Sequence, residues 1–126
     1  TALQSCIRNT TLGYRALSYI NGGNNNVAIG YAAGSGITTG SNNTIIGSHS
    51  AQSLTTGSNN IAMGCQALCK NTTGTYNIAL GYNAMYYNTT VTGGTAGYYT
   101  FSDFTGSVTS MTNGFNWGIQ ALVTNT

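Results

Sequence analysis

The feature that most constrains this chain is a repeat: one pattern returns at every seventeenth position, in strict register, through most of its length. Asparagine recurs at Asn9, Asn26, Asn43, Asn60 and Asn77, and glycine follows four residues later at Gly13, Gly30, Gly47, Gly64 and Gly81. The residue before each glycine is large and apolar (Leu12, Ile29, Ile46, Met63, Leu80), and the third residue after it is small (Ala16, Ala33, Ser50, Ala67, Ala84). Turn-forming stretches separate the units, as at Thr39-Gly40-Ser41-Asn42-Asn43 and Thr56-Gly57-Ser58-Asn59-Asn60. A fixed period marks an architecture in which each unit buries its apolar surface only against its neighbours. The period is too short for a helical pair, which takes roughly 33 residues or more. It suits one coil of a parallel β-solenoid, expected here with two short strands and two corners per coil.

Within each coil the side chains alternate. Val27 and Ile29, or Ile61 and Met63, point to one face, and Ala28 and Ala62 to the other. A second strand is expected after each glycine, with Leu17, Leu68 and Met85 in one column. Another column carries Ile20, Ile37 and Leu54 and becomes Asn71 and Asn88 in later coils. Glycine suits a corner because it takes positive φ freely and lets the next coil approach closely. The asparagine column reads as turn residues, as a stacked amide ladder, or both, and either role is structural. The absence of proline fits, since an interior N–H must donate to the next coil.

The whole chain, 1–126, reads as a single solenoid domain, with regular coils over 9–93 and irregular coils with an insertion over 94–126. Thr95-Ala96-Gly97-Tyr98 and Asn116-Trp117-Gly118 look like further units, the first glycine falling just short of the period and the second beyond it. Residues 100–112 read as a strand-forming insertion that carries Asp103, and Ala2-Leu3 echoes Ala16-Leu17. About seven coils at roughly 4.8 Å each would make a rod roughly 34 Å long. Each coil offers few aliphatics against the backbone it must order, so several chains sharing a core, or ends capped by stacking, are expected.

Composition narrows the function classes. Only 3% of residues are charged (Arg8, Arg15, Lys70 and Asp103) while 40% are hydrophobic, the reverse of a disordered chain. The surface must therefore be covered by neutral hydroxyls and amides, which suits stacked strands because like charges in register would repel. Three scattered cations form no basic stripe, so no nucleic-acid partner is expected. No apolar run is long enough for membrane insertion of this segment. The opening TALQSC has neither a charged nor an apolar leader region, so an exported chain is expected to carry its signal outside the segment or to use another route.

At N-x-A-I-G-Y-x-A-L the chain resembles a known repeat family. Asn26-Val27-Ala28-Ile29-Gly30-Tyr31, Asn60-Ile61-Ala62-Met63-Gly64 and Asn77-Ile78-Ala79-Leu80-Gly81-Tyr82-Asn83-Ala84-Met85 look like the head repeats of trimeric autotransporter (YadA-like) adhesins. The same repeat type occurs in phage tail fibres and in large surface proteins that end in an intramolecular chaperone. The resemblance covers about residues 9–90, with a period longer than is usual in adhesin heads. It implies a left-handed parallel β-roll, a homotrimer, and binding to host matrix or cell surfaces.

No catalytic, cofactor or metal site is expected. His49, the single histidine, has no acid or cysteine beside it in the repeat register, whereas a triad needs an oriented base and a metal site three or four ligands. Asp103 lacks the second carboxylate that glycoside hydrolysis requires. Gly22–Asn26 is a turn and lacks the lysine of a phosphate loop. Cys6, Cys65 and Cys69 form no disulfide framework, and Cys65 and Cys69 would stand roughly 13 Å apart on an extended strand. They read as small filler or as an inter-chain bridge.

Tyr14, Tyr31, Tyr82 and Tyr98 follow the repeat glycines, with Tyr86, Tyr87 and Tyr99 nearby. Such a column serves a glycan-binding face or a contact with a partner chain. Asn9, Asn42, Asn71 and Asn88 begin Asn-x-Ser/Thr sequons, which Asn- and Thr-rich turns also generate by composition. Paired threonines (Thr38-Thr39, Thr55-Thr56, Thr72-Thr73, Thr89-Thr90) repeat in register and raise an ice-binding alternative, although neighbours point to opposite faces. The expectation is therefore a non-enzymatic, structural or adhesive fibre segment, extracellular, on a cell surface or on a virion appendage. Its partners would be further copies of itself, as a homotrimer or an end-to-end filament, and a host-surface glycan or protein. The alternative is a dedicated carbohydrate-binding or ice-binding solenoid module.

Overall fold

The computed structural model describes residues 6–90, 92–93 and 95–96. Six strands form one parallel sheet in sequence order: β1 Thr10–Leu12, β2 Val27–Ile29, β3 Thr44–Ile46, β4 Ile61–Met63, β5 Ile78–Leu80 and β6 Thr95–Ala96. The protein is an all-β solenoid of about four turns from β1 to β5, with β6 pairing beyond them. Register is constant at one full repeat: Thr10 pairs with Val27, Thr44 with Ile61, and Ile61 with Ile78. Thr95 pairs with Ile78 and Ala96 with Ala79, so the last described strand also keeps the full period rather than the shorter step read from Gly81 to Gly97. Ala2-Leu3, Gly97, Tyr98, Tyr99, the 100–112 insertion with Asp103, and Asn116-Trp117-Gly118 lie outside the described residues.

Each of the strands β1 to β5 starts after the repeat asparagine and stops at the repeat glycine. The strand N–H groups reach the neighbouring coil: Thr10 N donates to Asn26 O at 2.8 Å, and Val27 N to Asn43 O at 2.8 Å. At the strand end Gly47 N donates back to Ile29 O at 2.8 Å. The glycines Gly13, Gly30, Gly47 and Gly64 take φ between 129° and 133°, a region closed to residues with a Cβ. They also lie directly on one another. A Cβ added to Gly30 would come within 2.8 Å of Gly47 C, and one on Gly47 within 2.6 Å of Gly64 O. The column expected from spacing is real.

The expected second strand does not form. Alternate residues on that side are left-handed: Arg15 and Leu17 at φ 60° and 51°, His49 and Ala51 at 56° and 47°, Gln66 and Leu68 at 60° and 56°. An extended strand needs negative φ at every residue, so the segment instead folds into successive tight turns. Ser35 N donates to Ala32 O at 3.2 Å and Ile37 N to Gly34 O at 3.0 Å. The intervening N–H groups still cross to the next coil, Gly34 N to Ser50 O and Gly36 N to Gln52 O, each at 2.9 Å. Backbone polar groups on this side are paired between coils without an extended strand.

The interior is narrow and filled from both sides. From the strands come Ala28, Ile45, Ala62 and Ala79, all fully buried. From the turn side come Ala33, Ala67 and Ala84, with Leu17, Leu68 and Met85, and from the next column Ile37 and Leu54. Volumes compensate between coils. Where the turn side thins to Gly34, the strand side carries Ile45 instead of alanine, and a Cβ on Gly34 would meet Ile45 Cδ1 at 2.9 Å. Ser50 replaces alanine in its column, and its hydroxyl donates to Ala62 O at 3.0 Å, so no buried hydroxyl is stranded there.

Asparagine supplies the rest of the interior. In each interior step Asn Oδ1 accepts both the backbone N–H and the Nδ2 of the next asparagine, as Asn43 Oδ1 does from Asn60 at 2.9 and 3.1 Å. Nδ2 also donates to a glycine carbonyl one turn on, Asn43 to Gly57 O at 3.0 Å. Asn26, Asn43, Asn60 and Asn77 are all fully buried, which fixes the ladder as a core element. Of the two expected roles the amide ladder is the one present; the left-handed turn position falls one residue earlier, at Asn25, Asn42 and Asn59.

Candidate functional site: the outward strand face

With Ala28, Ala62 and Ala79 turned inward on β2, β4 and β5, and Ile45 on β3, the residues on either side of them are turned out. One outward column holds Thr10, Val27, Thr44, Ile61 and Ile78, and the next holds Leu12, Ile29, Ile46, Met63 and Leu80. Leu12 is 67% exposed and Met63 40%, while Ile29, Ile46 and Leu80 are half-buried by their neighbours. The columns are two residues apart on each strand, roughly 7 Å, and rise by about 4.8 Å per coil. No charged residue stands in either column. The result is a largely aliphatic strip on the surface, broken by Thr10 and Thr44; the alternation placed these residues on one face without saying which face turns in.

The tyrosine column borders this strip. Tyr14 is 70% exposed, and Tyr31 and Tyr82 are less so. Tyr14 and Tyr31 stack with ring centroids 5.6 Å apart and planes 17° from parallel, and His49 tilts against Tyr31 at 5.1 Å. Stacking along the axis turns the faces of Tyr14 and Tyr31 toward each other. Ser48 and Cys65 occupy the same column in the next two coils, so Tyr82 does not join the stack. Tyr98 lies outside the described residues. Arg15 reaches Tyr19 OH at 3.4 Å, and Lys70 lies 5.9 Å above the Tyr86 ring, which meets Tyr87 edge-on at 4.7 Å.

The remaining candidates sort simply. His49 is engaged with Ser48 Oγ at 2.9 Å and with Tyr31. Cys6, Cys65 and Cys69 are free thiols, and burial pushes the Cys69 thiol above its ordinary pKa, partly opposed by the Lys70 charge and a Tyr86 hydrogen bond. Thr38, Thr55 and Thr72 donate their hydroxyls to carbonyls of the following coil, leaving Thr39, Thr56 and Thr73 as the outward members of those three pairs, while Thr89 and Thr90 are both exposed. Among the described residues no cluster of three or more His, Cys, Asp or Glu could hold a metal ion. No described helix is long and apolar enough to cross a membrane.

No family model, curated protein or solved structure matches the chain. Function must be read from the two faces themselves. The aliphatic strip was legible in principle, because a coil this short cannot enclose a large side chain from every column at once.

Proposed function

We propose that the chain is a segment of a structural or adhesive fibre, exported or virion-borne, whose outward strand face packs against further copies of itself. The observation that carries this reading is the inversion of the strands, with Ala28, Ala62 and Ala79 buried and Ile29, Ile46, Met63 and Leu80 facing out. A contiguous apolar strip on a soluble rod is a contact surface awaiting a partner. An identical copy matches it best, since it repeats the same rise and presents no charge to desolvate. The reading takes the rod as left-handed, of about seven coils and homotrimeric, with no catalytic role, and places it at a cell surface or on a virion appendage.

Multi-angle light scattering on the full chain tests this, alongside the double variant Ile46→Lys, Met63→Lys. The wild type should be trimeric or filamentous, and the variant monomeric with an unchanged far-UV spectrum, because both side chains already reach solvent. A wild-type monomer that persists at high concentration would sink the reading. Carbohydrate binding through the tyrosine column draws less support, because the Tyr14–Tyr31 stack occupies the ring faces a sugar would use. Ice binding draws less still, because one threonine of three of the four pairs is tied to the next coil.

A further inference from the structure

Four asparagines begin Asn-x-Thr sequons, and the fold treats them very differently. Asn9 is half-buried, its Nδ2 donating to Gly23 O at 2.9 Å while its Oδ1 accepts from Asn26 N at 2.8 Å. Asn71 is fully buried and accepts from Gly74 N at 2.8 Å. Asn88 is 5% exposed, and its Nδ2, like that of Asn71, is enclosed without a partner. A sugar on any of these three amides would have to occupy the interior or break the ladder. Asn42 is the exception. It is exposed, its side chain makes no hydrogen bond, and its backbone is pinned at φ 60° with its N–H on Asn24 O at 2.9 Å. The sequon is Asn42-Asn43-Thr44, in which Asn43 turns into the ladder and Thr44 opens β3 on the outward face.

We propose that Asn42 is the one described site of N-linked glycosylation, taking a sugar from an activated sugar diphosphate. In the transfer Asn42 Nδ2 bonds to the anomeric carbon of the sugar. The carbon–oxygen bond to the diphosphate breaks, the diphosphate leaves with the electron pair, and the transferase takes the amide proton. The repeat itself supplies the controls. Asn25 and Asn59 hold the same place in neighbouring coils at φ 59° and 60°, but are followed by Asn26-Val27 and Asn60-Ile61, which lack the hydroxyl residue. Val27→Thr would complete a sequon at Asn25, and threonine already occupies that outward column at Thr10 and Thr44. The proposal stands apart from self-association, because Asn42 sits in the turn ahead of the strand.

The test incubates the folded, purified chain with a sequon-dependent transferase and a nucleoside-diphosphate hexose, read by intact mass and peptide mapping. Wild type should gain a single hexose at Asn42, Asn42→Gln none, and Val27→Thr a second at Asn25. Short peptides spanning Asn42, Asn71 and Asn88 should all be modified, so that selectivity in the folded chain belongs to the fold. A parallel arm in microsomes supplies a lipid-diphosphate donor and should occupy Asn42 in the chains that fold. Modification of Asn9, Asn71 or Asn88 in the folded chain would overturn the proposal. So would a folded chain left bare while the Asn42 peptide is modified, or a folded Val27→Thr variant with no gain at Asn25.

Discussion

Replacing Gly47 by alanine tests the stacking of coils at its tightest point. Gly47 has φ 131°, and a Cβ there would lie 2.6 Å from Gly64 O, 2.7 Å from Gly64 C and 3.2 Å from Cys65 N. The backbone conformation alone costs an L-residue about 1–3 kcal/mol. Forcing an extra carbon against backbone adds roughly 1–3 kcal/mol, because relief requires β3 and β4 to move apart. That movement would stretch the bond from Gly64 N to Ile46 O, now 2.8 Å. The sum, about 2–6 kcal/mol, is a large part of the ~5–15 kcal/mol that holds a small domain together. Gly34→Ala is the matched comparison. Its φ is 57°, Leu17 and Ala51 already hold the equivalent place at 51° and 47°, and its nearest new contacts are the methyl ends of Ile45, Ile37 and Leu17. The left-handed penalty of about 1–2 kcal/mol is partly offset by ~0.4–1 kcal/mol from a less mobile unfolded chain. Urea denaturation followed by circular dichroism should show Gly47→Ala losing most of its midpoint, or failing to fold, with Gly34→Ala close to wild type. Equal midpoints for the two variants would refute close coil-on-coil stacking at the glycine column.

Asn43→Ala should cost more than about 3 kcal/mol, because it strands buried partners on Asn60, Asn26 and Gly57 that are each worth about 1–3 kcal/mol when left unpaired. Asn42→Ala, at an exposed side chain, should cost no more than about 1–2 kcal/mol for the left-handed backbone, and equal losses in urea would show that the ladder is not a core element. Asn71→Leu should stabilise by about 1 kcal/mol, since it removes an enclosed unpartnered Nδ2 and extends the Ile37–Leu54 column, against one lost bond from Gly74 N. A lower denaturation midpoint for that variant would show that the interior there needs its amide.

Sequence spacing carried the architecture because stacking forces like residues into columns, and the Asn9-to-Asn77 and Gly13-to-Gly81 series record that force directly. What spacing could not carry was backbone sign. Leu17, Leu68 and Met85 look like strand residues, yet each is left-handed, because inter-coil hydrogen bonds hold a conformation their side chains do not advertise. Nor could alternation alone say which face turns in. Ala28 and Ile29 are both apolar, and the choice falls to volume, since Leu17, Ile37, Leu54 and Leu68 already fill the opposite wall. The tyrosine column was visible, but its continuity was not, because Ser48 and Cys65 interrupt what Tyr14 and Tyr31 begin.

That choice of inward face has a consequence for how such a rod gains by association. Each coil adds a patch of outward strip about 5 Å tall and roughly 10 Å wide, or about 50 Å². The five strands β1 to β5 therefore offer roughly 250 Å² to a neighbour, well short of the ~800 Å² per partner of a standard interface. A pair of such rods touching along one strip would hold weakly. Contacts with two neighbours at once, or a longer run of coils in register, would multiply the area without any new kind of contact, each coil adding one or two aliphatics in the same geometry. Because neither column of the strip carries a charge among β1 to β5, no charge in the strip penalises that extension. With alanine on the inner face of β2, β4 and β5 and the opposite wall filled by Leu17, Ile37, Leu54, Leu68 and Met85, the coil is narrow enough to leave its other large aliphatics outside. In the proposed self-associating fibre those aliphatics would favour long, parallel, multiply contacted rods over single ones.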